Sequence, residues 1–414
     1  MAPIRRDEGV GTDCTAVNRA FRSLSFGITD GLIAARASKM IFRAYQGREG
    51  LSQITPEWSA LLDRIPNVRF NHFPEWYRAY LSPLVSDGER VWFVAAYRCG
   101  KLCAVFPLRF QDHSVGILRP RILGTLDDGQ MQLSDFIFAQ TPENEGLLDE
   151  LTCWLRIHKF QPWEELRLRK VSDQSSISYA ARARLPKATA VLLHDHSAYF
   201  PTDGTYEQAT RMMTAKYKSN LRRRNRIATE IAPLTHRIYR RGDELDEGFQ
   251  TFLDVEASGW KGESGTATAI RCQPSYLSFY EALVREFKAR DRCVVNILWH
   301  GERAVAGQFC LHVGKTLSIL KVGFSENHAI FAPGMLLLER ALQEACDAPT
   351  VAILDLVNDP AWAASFRPCR VGVRSYCAPN WSAPGLMVHL GLLTKRACEN
   401  ILRRPKSSPL DEPG

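Results

Sequence analysis

Between Ser318 and Ala345 the chain changes period. Ser318 to Phe324 carries the β-branched and small residues of a strand, and Ser325-Glu326-Asn327-His328 reads as a turn. Phe331-Ala332-Pro333-Gly334 then opens an amphipathic helix. Leu336, Leu337 and Ala341 alternate with Arg340 and Glu344 at helical spacing. Pro333 suits a first helical turn, where its missing N–H has no partner to lose. Gly334 lets another group come close to the backbone. A strand feeding a helix in this way leaves N–H groups without partners at the helix start, a seat for an anion and above all a pyrophosphate. An ordinary well-capped helix has the same residues, so the rest of the chain has to decide between the two.

The same order of elements occurs twice. Strand-like residues 39–45 are followed by a helix from Thr55, with Pro56 in its first turn, and a second helix opened by Phe73-Pro74-Glu75-Trp76. Residues 91–97 and 102–108 form a β-hairpin across Arg98-Cys99-Gly100-Lys101. Strands near 121–123 and 136–138, a helix over 145–158 and a strand over 165–169 complete the first half. In the second half, a long helical segment from Tyr206 carries a basic cluster. A strand at 235–239, helices at 243–258 and 278–288, and a hairpin across His300-Gly301-Glu302-Arg303 follow. The Ser318–Ala345 stretch comes next, and 351–357 is read as the last core strand. Apart from the additional short strand near 136–138, both halves read β-α-α-β-β-β-α-β, an internal structural repeat with little identity. The expected class is α+β, two tandem domains that each fold as a mixed, mostly antiparallel sheet flanked by helices. The expected boundaries are a tail over 1–37, domains over 38–200 and 201–380, and a helix and tail over 381–414.

At 414 residues, 45% hydrophobic and 24% charged, the chain is long enough for two cores. No apolar run reaches the roughly 18–20 residues of a membrane helix, and the N-terminus has no secretory core; a cytoplasmic location is expected. Eleven cysteines are scattered singly, without the paired spacing of a zinc site or disulfide framework, so no metal is expected. The net charge of +8 is uneven: Lys216 to Arg226 holds six basic residues and no acid. That excess fits an anionic ligand, an acidic polymer or a membrane surface. No interleaved aromatic or finger motif points to nucleic acid.

Short motifs in a fixed order add a resemblance. They are Phe70-x-x-Phe73-Pro74-x-Trp76, Tyr217-Lys218-Ser219-Asn220-Leu221-Arg222-Arg223, Glu256-Ala257-Ser258-Gly259-Trp260-Lys261-Gly262 with Gly265-Thr266-Ala267, and Ala332-Pro333-Gly334. Over roughly residues 38–368 the chain resembles GNAT acyltransferases, and within them the cellulose-biosynthesis (CelD-like) acetyltransferases, distant relatives of the Fem-type aminoacyltransferases with two GNAT-like halves. The resemblance implies acetyl-CoA or another acyl-CoA as donor, with the acyl arm in a gap beside the strand that precedes the main helix. Lys321, Val322 and Gly323 would line the pantetheine, and Asn358 would contact it. Phe331, Ala332, Pro333, Gly334 and Met335 would form the phosphate loop, with one glycine where such loops carry several. A Tyr-Lys pair common after the last strand in related proteins is replaced here by Ala361-Trp362-Ala363-Ala364-Ser365-Phe366.

Acyl transfer needs a proton acceptor, a donor to the oxyanion and a way to release the thiolate. Asp355, a carboxylate inside the apolar run 352–357, is either a structural acid or a base with a raised pKa. Glu256 is the other candidate base, and Lys261 is a candidate for contacting phosphate or substrate. Trp260 is assigned to the acceptor. So are Lys218, Arg222 and Arg226, which share a helical face at i, i+4 and i+8 and suit CoA phosphates, an acidic saccharide or a lipid head group. The expected activity is an N- or O-acyltransferase, foremost an acetyltransferase, acting on a sugar of an exopolysaccharide or its precursor. A long-chain N-acyltransferase on an amino acid or lipid amine, and a non-catalytic scaffold in polysaccharide synthesis, are the alternatives. Peripheral association with a membrane or a polysaccharide synthase is compatible with either.

Overall fold

The computed structural model describes residues 40–402, apart from 82–83, 85–89, 113–118, 128, 158–160, 260 and 264. The expected tail over 1–37 lies outside the described residues. The first half runs β1 (Ile41–Gln46), α1 (Gly47–Leu62), α2 (Pro74–Leu81), β2 (Val91–Arg98), β3 (Lys101–Asp112), β4 (Arg121–Gly124), β5 (Ile137–Phe138), α3 (Leu147–Ile157) and β6 (Glu165–Ser172). α4 (Ser176–Ala183) and β7 (Ala190–Pro201) then lead across. The second half runs α5 (Tyr206–Ala209), α6 (Ala215–Ile231), β8 (Leu234–Tyr239), α7 (Gly242–Ala257), α8 (Pro274–Lys288), β9 (Cys293–His300), β10 (Arg303–Val313), β11 (Thr316–Phe324), α9 (Pro333–Asp347), β12 (Ile353–Asp355), β13 (Cys369–Pro379) and α10 (Ala383–Leu402).

The α+β class and the repeated order hold. The hairpins form where the turn residues direct them. Cys99 and Gly100 both take positive φ (50° and 73°), and Gly301 alone does so in the second hairpin (59°). Two helices differ from expectation. α1 starts at Gly47, not near Thr55, and carries Pro56 inside it. The segment from Tyr206 is broken in two, because Thr205 and Thr214 each cap a new start by accepting from Gln208 N and Tyr217 N.

All but one of the strands follow one path, β1-β2-β3-β4-β6-β13-β7-β12-β11-β10-β9-β8, with β5 paired to β3. The order at the centre is an exchange. β7, which closes the first half in sequence, pairs with β12 of the second, through Ile353↔Pro201 to Asp355↔Tyr199. β13, which closes the second half, pairs with β6 of the first, through Val373↔Ser172 to Pro379↔Glu165. β7 and β13 then pair with each other. Neither exchanged strand was expected from the sequence, which placed the last core strand at 351–357.

The faces are also shared. One apolar cluster joins α1 and α2 to α7 and α8 across the halves, and Trp76 meets Phe279 edge-on at 5.4 Å. Around it Arg290 pairs with Glu75 (2.8 Å) and Arg78 with Glu286 (2.8 Å). A second cluster lies under α6 and α9.

Candidate acyl-transfer site

β11 and β12 are parallel neighbours only from Thr316↔Ile353 to Ser318↔Asp355. Beyond that point β11 runs on to Phe324 beside β10, in register Ala306↔Phe324. The chain after β12 turns instead toward β7, where Leu356 N donates to Ala198 O (2.9 Å) and Ala198 N to Asn358 O (3.0 Å). The two strands therefore part, and a gap opens between them. Its edges bear two irregularities. Register slips between Phe309↔Lys321 and Cys310↔Ile319, which makes Leu320 the extra residue of a bulge in β11. On the other side Val357 sits at φ 65°, spanned by a 2.7 Å bond from Asn358 N to Leu356 O. A buried β-branched residue there is strained by about 1–3 kcal/mol.

α9 starts at the wide end of the gap. A 3-10 turn over Glu326–Phe331 leads to Ala332 in the left-handed region (φ 50°, ψ 66°), and Pro333 begins the helix. Ala332 O accepts from Met335 N and Leu336 N. A Cβ on Gly334 would lie 3.6 Å from Phe324, an ordinary contact, so the fold itself leaves room there.

Among the described residues the first half shows no such parting. Past Gly124↔Arg167 the chain stays on β6, with Thr125 N bonded to Arg167 O and Ser134 bridged in parallel to Val171. Asp135, next to that bridge, accepts from the Ser176 and Ile177 amides at the start of α4 and lies 3.1 Å from His72 Nε2.

Leu317 and Leu354 pack in the cluster under α9, so Ser318 and Asp355 face the opposite side of the sheet. There Asp355 Oδ1 accepts from Val357 N (2.8 Å), and Oδ2 lies 3.6 Å from Arg69 Nη1, which comes from the first half. Asp355 thus ties the end of β12 to the other half. Glu256, buried at the end of α7, accepts from Ile270 N (2.8 Å) and pairs with Lys261 Nζ (3.3 Å); Lys261 also donates to Val322 O (3.1 Å). A Cβ on Gly323 would lie 2.6 Å from Glu256 Cα, so glycine lets α7 sit on β11. Lys321 lies beside this pair. Burial pushes its pKa below the ordinary lysine value, Lys261 adds to the shift and Glu256 opposes it.

The remaining expected residues divide by side. Phe331 is buried against His300 and His328, so only its backbone belongs to the loop. Met335 Sδ lies 3.5 Å from the Tyr217 hydroxyl, and Arg340 donates to Asn225, which lays α6 along α9. Lys218, Arg222 and Arg226 lie on that helix, Arg226 pairing with Glu230 (3.6 Å). Asn358 is exposed beside β7. Trp260 lies outside the described residues. The 3-10 turn Ala361–Phe366 that stands in place of the Tyr-Lys pair buries Phe366 against Phe200 and Tyr217. Sequence reasoning did not find Arg69, the Leu320 bulge or the Val357 turn. Arg69 had no signal, because its partner lies in the other half. The bulge arises only from pairing with β10.

Residues 215–361 match the family model described as an acetyltransferase (GNAT) domain, and the gap lies inside that span. No curated protein matches the chain significantly. Among solved structures the chain is similar to FemX, at 10% identity and TM-score 0.51, over 78% of this chain and 95% of that one. It is also similar to L-PGS from Bacillus licheniformis (14% identity, TM-score 0.48, 84% and 98%) and to a tandem GNAT protein from the clavulanic acid biosynthesis pathway (13%, TM-score 0.41, 83% and 100%). At these identities the FemX likeness is one of fold. Among the described residues no helix is long and apolar enough to cross a membrane, and no group of three or more metal-binding side chains occurs.

Proposed function

We propose that the chain is an acyl-CoA-dependent N- or O-acyltransferase, foremost an acetyltransferase, whose donor lies between β11 and β12. The observation that carries this is the parting of those strands after Ser318↔Asp355, with the start of α9 at the wide end. The pyrophosphate would sit at the start of α9, where Met335 N and Leu336 N already donate to Ala332 O and the Gly334 amide has no bond among the described residues. Lys321–Gly323 and Asn358 flank the arm, and the basic face of α6 lies alongside for the phosphates. The gap-facing backbone of β11 supplies donors for the oxyanion. The acceptor comes from the side of Arg69, Asp355, Glu256 and Lys261. A saccharide amine or hydroxyl, as in the CelD-like enzymes, is the proposed acceptor, inside the cell and at most peripherally on a membrane or synthase.

Exposed Phe324 and Ile330, at 41% and 72%, stand near the start of α9 and favour a second reading in which the acyl chain is long or the acceptor a lipid amine. Calorimetry with acetyl-, octanoyl- and palmitoyl-CoA tests both. Acetyl-CoA binding that is weakened at least tenfold by Gly334→Val is the expected result. Tighter binding of the longer chains would favour the second reading. Folded protein that binds none of the three would remove the acyl-CoA reading.

A further inference from the structure

The charged row beside β11 has one member that no described side chain engages. Glu256 uses one oxygen on the Ile270 amide and the other on Lys261, and Lys261 also holds the Val322 carbonyl. Asp355 is held by Val357 N and Arg69. The Lys321 side chain makes no hydrogen bond or ion pair among the described residues. Gly323 faces α7, and the period of two puts Lys321 on that same face, one residue past the bulge. Strand rise places Leu320 about 13 Å back from Phe324. A thioester arm reaching about that far along β11 from the α9 end would bring its carbonyl to the bulge, next to Lys321 in the chain.

We propose that Lys321 is the proton acceptor of the transfer step. The inference rests on the acyl-CoA reading above. In its deprotonated form the Lys321 amine takes the proton of the acceptor amine or hydroxyl as that group attacks the thioester carbonyl. The new C–N or C–O bond forms and the C–S bond breaks. The thiolate leaves with the electron pair and takes up the proton from the Lys321 ammonium, which restores the neutral amine. The surroundings suit the role: burial and Lys261 favour the neutral form, Glu256 alone opposes it, and the next titratable group, Tyr280 on α8, stands beside Glu256 and is itself pushed up by burial. Of the carboxylates that the sequence offered, Glu256 has both oxygens engaged, while Asp355 has Oδ1 on Val357 N and faces Arg69 with Oδ2, which accepts no hydrogen bond.

Trace acetylation with acetic anhydride, read lysine by lysine by mass spectrometry across the neutral to alkaline range, tests this directly. Lys321 is expected to titrate below the other lysines and to be protected by acetyl-CoA. Titration together with the surface lysines, or no protection by bound acetyl-CoA, overturns the proposal. Turnover of acetyl-CoA with a panel of amines and amino sugars gives the second measurement. Lys321→Arg keeps the charge and cannot accept a proton; it is expected to lower kcat about 100-fold with KM for acetyl-CoA within about twofold, and to remove the alkaline rise in rate. Retained kcat with a raised acceptor KM in Lys321→Arg would make Lys321 a charge clamp and overturn its role as base. Wild-type protein that fails to bind acetyl-CoA would overturn the donor reading and the role of Lys321 together. Binding and turnover with an unaffected Lys321→Arg would overturn the role of Lys321 alone.

Discussion

At the scale of single residues, two backbone and side-chain environments make predictions independent of catalysis. Ala332 carries a Cβ in the left-handed region, where glycine has no steric cost. Ala332→Gly is expected to raise stability by about 0.5–1 kcal/mol in urea melts, because relief of strain exceeds the added freedom of the unfolded chain. His236, half-buried on β8, is held down to about 4 chiefly by burial, against a raising contribution from Asn296. The unfolded chain therefore takes up a proton that the folded one refuses. His236 contributes stability that is present above about pH 6.5 and is lost as pH falls toward about 4. The loss is about 2 kcal/mol, less than the full shift implies because the ring is only half-buried. His236→Gln should flatten that part of the melting profile; an unchanged acid limb would show that another group governs it.

At the scale of elements, two glycines near the gap do opposite things. Gly323 is required by the fold: its missing side chain seats α7 on β11, with the clash falling on the backbone of Glu256. Gly323→Ala is expected to cost about 2 kcal/mol or more, since neither strand nor helix can yield cheaply. Gly334 has space for a side chain, so Gly334→Ala should leave the melting temperature within a degree or two while weakening acetyl-CoA binding. An Ala variant that melts early but binds normally would reverse the assignment of the two glycines. The phosphate loop was legible because its signals are local: a proline, a glycine and a helical stripe in one window. The place where α1 starts was not. Its first turns, from Gly47 to Ile54, form over the sheet, where Gly47, Gly50, Leu51 and Ile54 are buried, and this burial outweighs the boundary that Pro56 suggested.

At the scale of the whole molecule, the exchange of β7 and β13 makes the halves interdependent. Each closes the other's sheet, and α2 packs on α8 over a shared core. A fragment over 201–380 would lack the β12 neighbour that β7 supplies, and one over 38–200 would lack the β6 neighbour that β13 supplies. Each expressed alone is expected to be aggregation-prone through its open edges, and co-expression to restore a folded pair, read by size-exclusion and circular dichroism. Cooperative folding of either fragment alone would show that the proposed 38–200 and 201–380 boundaries delimit autonomous domains.

By itself the sequence determined the elements whose causes are local. These are the repeated helix and hairpin order, the two tight turns, and the strand, loop and helix around Pro333. It also singled out Glu256 and Lys261 through a motif and Asp355 through its apolar strand, but not their geometry. The tertiary structure alone decided where β11 and β12 part, that the first half keeps its chain on β6 at the matching place, and that Arg69 reaches Asp355. It also decided that the Lys321 side chain has no hydrogen-bond or ion-pair partner among the described residues, next to a bulge. The reason is physical: each of these depends on which strand lies beside which, and strand pairing is fixed by contacts between residues far apart in the chain, to which the local pattern of one segment is blind.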